Sequence, residues 1–316
     1  ECYAQCLNET TRGAVAFVWD ECDKHCWCKS ELGETSQESC RCYGQLPPVP
    51  IPAVNMTQQV ETYMEYILGH QTADGWLGPA DEVTSQDGNK WWGRSNVLLA
   101  MSMYAEAEPA RFDNITTTML NYMLIMEKQL QAGKPGLAGW AAARWMDLAL
   151  SVEWMLTHVT TLSDDQKSTL WNLAHLLHDQ GTDWETWFHT FGSKDSMHNV
   201  NLAQALKSAA VWYGITGNKT MSDLSLERMQ RIDHEWGLPT GMFNGDEITP
   251  EPHTRNPSRG IELCGVVEAM FSYNTMFSTF GTIAFADRAE RVAYNALPAT
   301  WASPTGGDMW AHQYVL

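Results

Sequence analysis

Positive charge is scarce in this chain: 20 Lys and Arg stand against 38 Asp and Glu, a formal net charge of −18. Nucleic acids and anionic membranes are gripped through clustered Lys and Arg, so both are excluded as expected partners. Long apolar runs are missing as well. None approaches the roughly 20 residues that cross a bilayer, so no membrane span is expected. No leader peptide opens the sequence, which reads as a mature or trimmed product. No convincing strand run is visible. Beyond residue 42 there is one cysteine, Cys264, and no two cysteines are adjacent anywhere.

What is present points to a globular, exported protein. Hydrophobic residues make up 44% and charged residues 18% of 316, enough for a sizeable core and too apolar for disorder. Cys2, Cys6, Cys22, Cys26, Cys28, Cys40 and Cys42 crowd the N-terminus. That density reads as a disulfide module, residues 1–43, in an oxidising compartment. A metal cluster is the competing reading, but Cys-x-Cys is not the usual Cys-x-x-Cys spacing of zinc sites. Sequons at Asn8, Asn55, Asn114 and Asn218 agree with secretion. A proline-rich linker, 44–52, follows the module.

From residue 53 the chain reads as helix after helix, about ten in all. Expected spans include Thr57–His70, Lys90–Ala107, Ile115–Ala132, a long apolar Leu137–His158, Met197–Ile215, Thr220–Trp236, Ile261–Phe280 and Thr282–Leu297. Ser163 and Gln166 have capping-box spacing. Short helical connections favour antiparallel neighbours, and repeated pairs suggest an all-α (α/α)6 toroid over 53–316. Ten helices fall short of its twelve. Most of the 15 tryptophans are expected in the core. His175 and His178, at i and i+3 in mid-helix, read as a solvated edge rather than a metal pair.

Chemistry concentrates between Gly241 and Cys264. Asp246-Glu247 is a loop carboxyl pair, and a loop acid with a raised pKa can protonate a leaving oxygen. Glu262 and Cys264 sit where a loop turns into an apolar helix, and at such a turn both can face one soft metal such as zinc. The alternative for Cys264 is an inert thiol or a bridge to the odd N-terminal cysteine. His198 stands at a helix start. Trp92, Arg94, Trp145 and Asp147 are candidates for sugar stacking and hydrogen bonding, or else core with a buried Arg–Asp pair.

Taken in order, several stretches resemble one family. They are Asp74-Gly-Trp-Leu-Gly-Pro79, Trp92-Gly-Arg94, Ala143-Arg-Trp-Met-Asp147, His198-Asn-Val-Asn-Leu-Ala203 and Gly241-Met-Phe-Asn-Gly-Asp-Glu247. Glu262-Leu-Cys264, Ala293-Tyr-Asn-Ala-Leu-Pro298 and Met309-Trp-Ala-His-Gln-Tyr314 complete the series. It is similar to the beta-L-arabinofuranosidase-like glycosidases of glycoside hydrolase family 127. The resemblance implies a secreted (α/α)6 glycosidase acting by retention on a non-reducing-end furanoside. It implies Glu247 as acid/base, His198 in the sugar pocket, and Glu262 and Cys264 as two of four zinc ligands; His312 is a candidate for the pocket mouth, or else ties down a loop. The nucleophile belongs to an adjacent cysteine pair that this chain lacks: it is expected on a companion C-terminal polypeptide, or was lost by proteolysis or truncation, or was never part of this protein. The competing class is a non-catalytic glycan-binding or structural protein on the same scaffold.

Overall fold

The computed structural model describes residues 16–20, 25–29, 41–45, 55–190, 198–245, 247–249 and 260–299. The chain divides into two compact units, Glu1–Tyr63 and Met64–Leu316.

In the first unit, strands β1 (Ala16–Asp20), β2 (His25–Lys29) and β3 (Arg41–Gln45) form an antiparallel sheet in the order β2-β1-β3. These strands were not foreseen. Trp19 of β1 pairs with Cys26 on one side and Cys42 on the other. Two strand spacings, about 10 Å, then separate Cys26 from Cys42. Cys2, Cys6, Cys22, Cys40, Asn8 and most of the expected linker lie outside the described residues.

Helix α1 (Met56–Gly69) runs across the division. The second unit holds α2 (Trp92–Ala107), α3 (Phe112–Gln131), α4 (Gly139–Ala143), α5 (Trp145–His158), α6 (Asp164–Gln180), α7 (Trp184–Thr190) and α8 (Asn199–Ala205). It continues with α9 (Ser208–Thr216), α10 (Thr220–Trp236), α11 (Leu263–Phe280) and α12 (Ile283–Arg291), then a π turn, Val292–Ala296, and α13 (Leu297–Ala299). Helices α2, α5, α9 and α11 touch in succession, and α8 packs on α11. Helices α3, α6, α10 and α12 flank α2, α5, α9 and α11 respectively, and α3 also meets α6. The described helices therefore form two layers, as the short connections require.

The core follows from the apolar spacing. Tyr122, Met126 and Leu130 of α3, Met146, Ala149 and Val152 of α5, and Leu170, Leu173 and Leu177 of α6 are all buried in one cluster. Trp76, Trp91, Trp184 and Trp236 are fully enclosed, as expected for core indoles. Left-handed glycines end α9 at Gly217 (φ 68°) and α11 at Gly281 (φ 66°), a conformation that only glycine adopts without strain.

Two expected helices are broken. Leu137–His158 splits at Arg144, whose φ and ψ are −115° and 28°. The short α4 on its N-terminal side is held by Asn89, whose Oδ1 accepts from the Trp140 and Ala141 amides at 2.8 and 3.3 Å. Met197–Ile215 splits at Leu206–Lys207 into α8 and α9. No glycine or proline marks either break. Each break carries a cation, half-buried Arg144 in one and fully buried Lys207 in the other.

The capping box at α6 is complete: the Gln166 amide donates to Ser163 Oγ at 3.2 Å, and the Ser163 amide donates to Gln166 Oε1 at 2.9 Å. Ser163→Ala is expected to lower stability by about 1 kcal/mol, read from the urea midpoint. Burial raises the Glu153 carboxyl above its ordinary 4.5, against a smaller opposing pull from His158. Glu153 thus binds its proton more tightly folded than unfolded. Its stabilising contribution is whole below 4.5 and is lost as pH rises through the raised value. Glu153→Gln should therefore gain stability relative to the parent between about pH 4 and pH 7; midpoints measured at both check it.

Candidate functional site

Three backbone segments meet at one end of the helical unit. His198 pairs with Ile248, Gly245 pairs with Ile261, and the Asn199 amide donates to the Glu247 carbonyl at 3.1 Å. The first residue of α8, the Glu247 loop and the start of α11 are thereby stitched together. Asn199 is the wedge. It is fully buried, and a Cβ on Gly245 or Gly265 would fall 2.3 Å from its Nδ2 or 2.2 Å from its Oδ1. Only glycine leaves room for the amide at either place.

His198 caps α8: its Nδ1 accepts from the Val200 amide at 3.2 Å. The ring proton therefore sits on Nε2, which lies 3.6 Å from Glu247 Oε1. Glu247 itself is 63% exposed, so the apolar shelter expected for a catalytic acid is not supplied by the described residues. The His198 ring meets Trp140 edge-on at 5.0 Å. Beyond it, the Arg144 guanidinium lies 4.7 Å from the Trp140 ring and 5.1 Å from the Trp92 ring, and its Nε donates to Asn201 Oδ1 at 3.0 Å. Trp92, Arg144, Trp140, His198 and Glu247 thus form one continuous wall.

Charge is concentrated behind the wall. Lys207, with no exposed side-chain surface, places Nζ 2.8 Å from Asp147 Oδ1 and 3.9 Å from Glu268 Oε2. The Phe271 ring lies 4.7 Å from the same ammonium. Burial raises the Glu268 carboxyl; Asp147 adds to this, while Lys207, a Gln204 hydrogen bond and Arg144 oppose it. Burial lowers Arg144, against the combined pull of Glu268, Asp147, Cys264 and Glu262. The Glu262–Cys264 turn is therefore within electrostatic reach of the same arginine. Glu262 is fully buried as the N-cap of α11; Cys264, one turn before Glu268, is exposed.

The structure thus brings together Trp92, Asp147, His198, Glu247, Glu262 and Cys264. It places two expected residues elsewhere. Arg94 pairs with Glu82, and its Nε and NH1 donate to the Leu77 and Lys90 carbonyls at 3.0 Å each. It organises the loop before α2 rather than meeting Asp147, whose cation is Lys207. Trp145 turns toward α6 and α9, meeting His178 at 5.2 Å and Trp212 at 6.4 Å. Asp246 and His312 lie outside the described residues. Arg144, Trp140, Asn199, Lys207 and Glu268 were not picked out from the sequence as site residues. A lone lysine within the apolar Ala203–Ala210 and a glutamate one turn after Cys264 were the available signals. No group of three or more His, Cys, Asp or Glu side chains converges among the described residues. Two donors, Glu262 and Cys264, fall short of the three or four that hold zinc.

Removing the buried cation should be costly. Lys207→Met leaves Asp147 and Glu268 without it and is expected to lose about 3–5 kcal/mol; adding Asp147→Asn should recover part of that. Urea unfolding of the two single variants and the double variant checks the coupling.

A family model of the beta-L-arabinofuranosidase GH127 catalytic domain matches residues 52–310. Among solved structures, the chain is similar to a glycoside hydrolase at 16% identity and TM-score 0.56, over 83% of this chain and 46% of that one. It is similar to the GH127 beta-L-arabinofuranosidase from Geobacillus stearothermophilus T6 at 14% and 0.59, over 82% and 45%. It also resembles a GH127 beta-arabinofuranosidase at 15% and 0.53, over 82% and 43%. The chain spans less than half the length of these solved relatives. No curated protein matches it. With the family model spanning most of its length, the chain belongs to the GH127 beta-L-arabinofuranosidase catalytic-domain family.

Proposed function

We propose that this chain is the N-terminal catalytic portion of a secreted glycoside hydrolase that removes a non-reducing-end furanoside such as beta-L-arabinofuranose. The observation that carries this reading is the stitching of the Glu247 loop to His198 and to the Glu262–Cys264 turn. It gathers an acid, a histidine whose Nε2 lies 3.6 Å from it and a carboxylate–thiol turn beside two indoles.

Glu247 is the acid/base. As the acid it protonates the leaving glycosidic oxygen; in the second step it takes the proton from the attacking water. His198 Nε2 faces its carboxylate at 3.6 Å. The sugar ring packs on Trp92 and Trp140, with Arg144 between them donating to its hydroxyls. A seated ring would exclude water from Glu247. Glu262 and Cys264 contribute two donors toward zinc, and a companion C-terminal polypeptide contributes the rest together with the remaining helices of an (α/α)6 barrel. Exposed sequons at Asn55, Asn114 and Asn218 support secretion.

The second reading, a glycan-binding protein without turnover, is favoured by the exposure of Glu247 and the incomplete donor set. One experiment separates them. In the natural, full-length protein, Glu247→Gln should lower kcat on an aryl beta-L-arabinofuranoside by at least about a hundredfold with sugar binding retained. Turnover unchanged by the substitution removes Glu247 from the mechanism. Binding without turnover in the parent protein selects the second reading.

A further inference from the structure

A separate cavity of about 400 Å³ lies in the wall of the helical unit, between α6, α7, α9 and α10. That volume is in the range of small-molecule sites. Its lining includes Trp145, Trp212, His178, Asp179, Asp183 and Arg228, and no member of the Trp92–Arg144–Trp140–His198–Glu247 wall. The surface is built, not accidental. His178 stacks on Trp212 at 3.8 Å, which corrects its reading as a merely solvated edge, and its Nδ1 lies 2.9 Å from Asp179 Oδ1. Gly181 lets the chain pass closely over Trp145: a Cβ there would fall 2.3 Å from the indole.

Arg228 supplies the sharpest observation. It is 3% exposed; one terminal nitrogen donates to Ser208 Oγ at 2.8 Å, and its guanidinium lies 4.8 Å from the Phe188 ring. Among the described residues its Nε–H has no acceptor. Buried donors are almost always satisfied, and a ligand seated in the cavity would supply the acceptor that the described residues do not. Asp179, Asp183 and Glu185 line the same cavity, so an anion would meet three carboxylates against one guanidinium. A neutral polyol meets no such penalty: its oxygens accept from Arg228, its hydroxyls donate to the carboxylates, and its ring packs on indole.

We propose that this cavity is a second site for one neutral sugar residue, independent of the Glu247 site. The test is a tryptophan-fluorescence titration of the full-length protein carrying Trp92→Ala and Trp140→Ala, which removes both indoles of the first site. The probes are L-arabinose and D-galactose, with acetate and L-lysine as the anionic and cationic comparisons. Saturable binding of a neutral sugar is expected, weakened at least tenfold by Arg228→Lys, which keeps the charge but removes the Nε–H. Trp212→Phe should weaken it too and serves if the arginine variant fails to fold. Three results overturn the proposal: no saturable sugar response, a response indifferent to both variants, or saturation by acetate or lysine alone. Glu247→Gln should leave this binding unchanged, so failure here is distinct from failure of the hydrolase reading.

Discussion

The buried ammonium of Lys207 is the constraint around which the site is arranged. An ion of this kind costs several kcal/mol to dehydrate, and only close partners offset that. Asp147 from α5 and Glu268 from α11 provide them. Lys207 lies at the Leu206–Lys207 junction of α8 and α9, where both residues keep right-handed helical dihedrals, and α8 is a separate, wholly buried helix packed on α11. The start of α8 is then fixed in space. His198 caps it, Asn199 wedges between Gly245 and Gly265, and the Glu247 loop is drawn against both. One charge pairing thus sets the position of side chains that it never touches.

Arg144 plays the corresponding part at the second break. Its departure from helical conformation turns the guanidinium between the Trp92 and Trp140 rings and toward the acids of α5 and α11. The two cations divide the work. Lys207 neutralises carboxylates inside the protein, whereas Arg144 sits at the boundary, half sheltered and flanked by indole faces. That is the arrangement expected where a polyhydroxylated ligand meets both flat apolar surface and fixed hydrogen-bond donors.

The helices were legible because their signals are local. Apolar periodicity located α3, α6, α10 and α11 to within a few residues, and the Ser163–Gln166 box fixed the start of α6. Gly217 and Gly281 ended helices as left-handed glycines do. The breaks at Arg144 and Lys207 were not legible, because neither carries glycine or proline; each carries a cation whose partner is far away in sequence. Site membership divides the same way. Asp147, His198, Glu247, Glu262 and Cys264 stood out as chemical groups at loop–helix junctions or in an unusually apolar helix. Asn199 is invisible in sequence because its role depends on two glycines brought to it by the fold. Arg94 and Trp145 carry the right chemistry but face the wrong way: Arg94 lies two residues from Trp92, which on a helix points it to another side. The sheet of the N-terminal unit escaped notice because cysteine spacing masked its short alternating strands.

The central claim is that the wall from Trp92 to Glu247 holds a sugar. The most direct measurement is a crystal structure of the full-length protein with a non-hydrolysable beta-L-arabinofuranoside. The account predicts a furanose ring against Trp92 and Trp140, with Glu247 within hydrogen-bond reach of the glycosidic heteroatom, about 3 Å. A ring bound away from this wall, with Glu247 pointing to solvent, would contradict it.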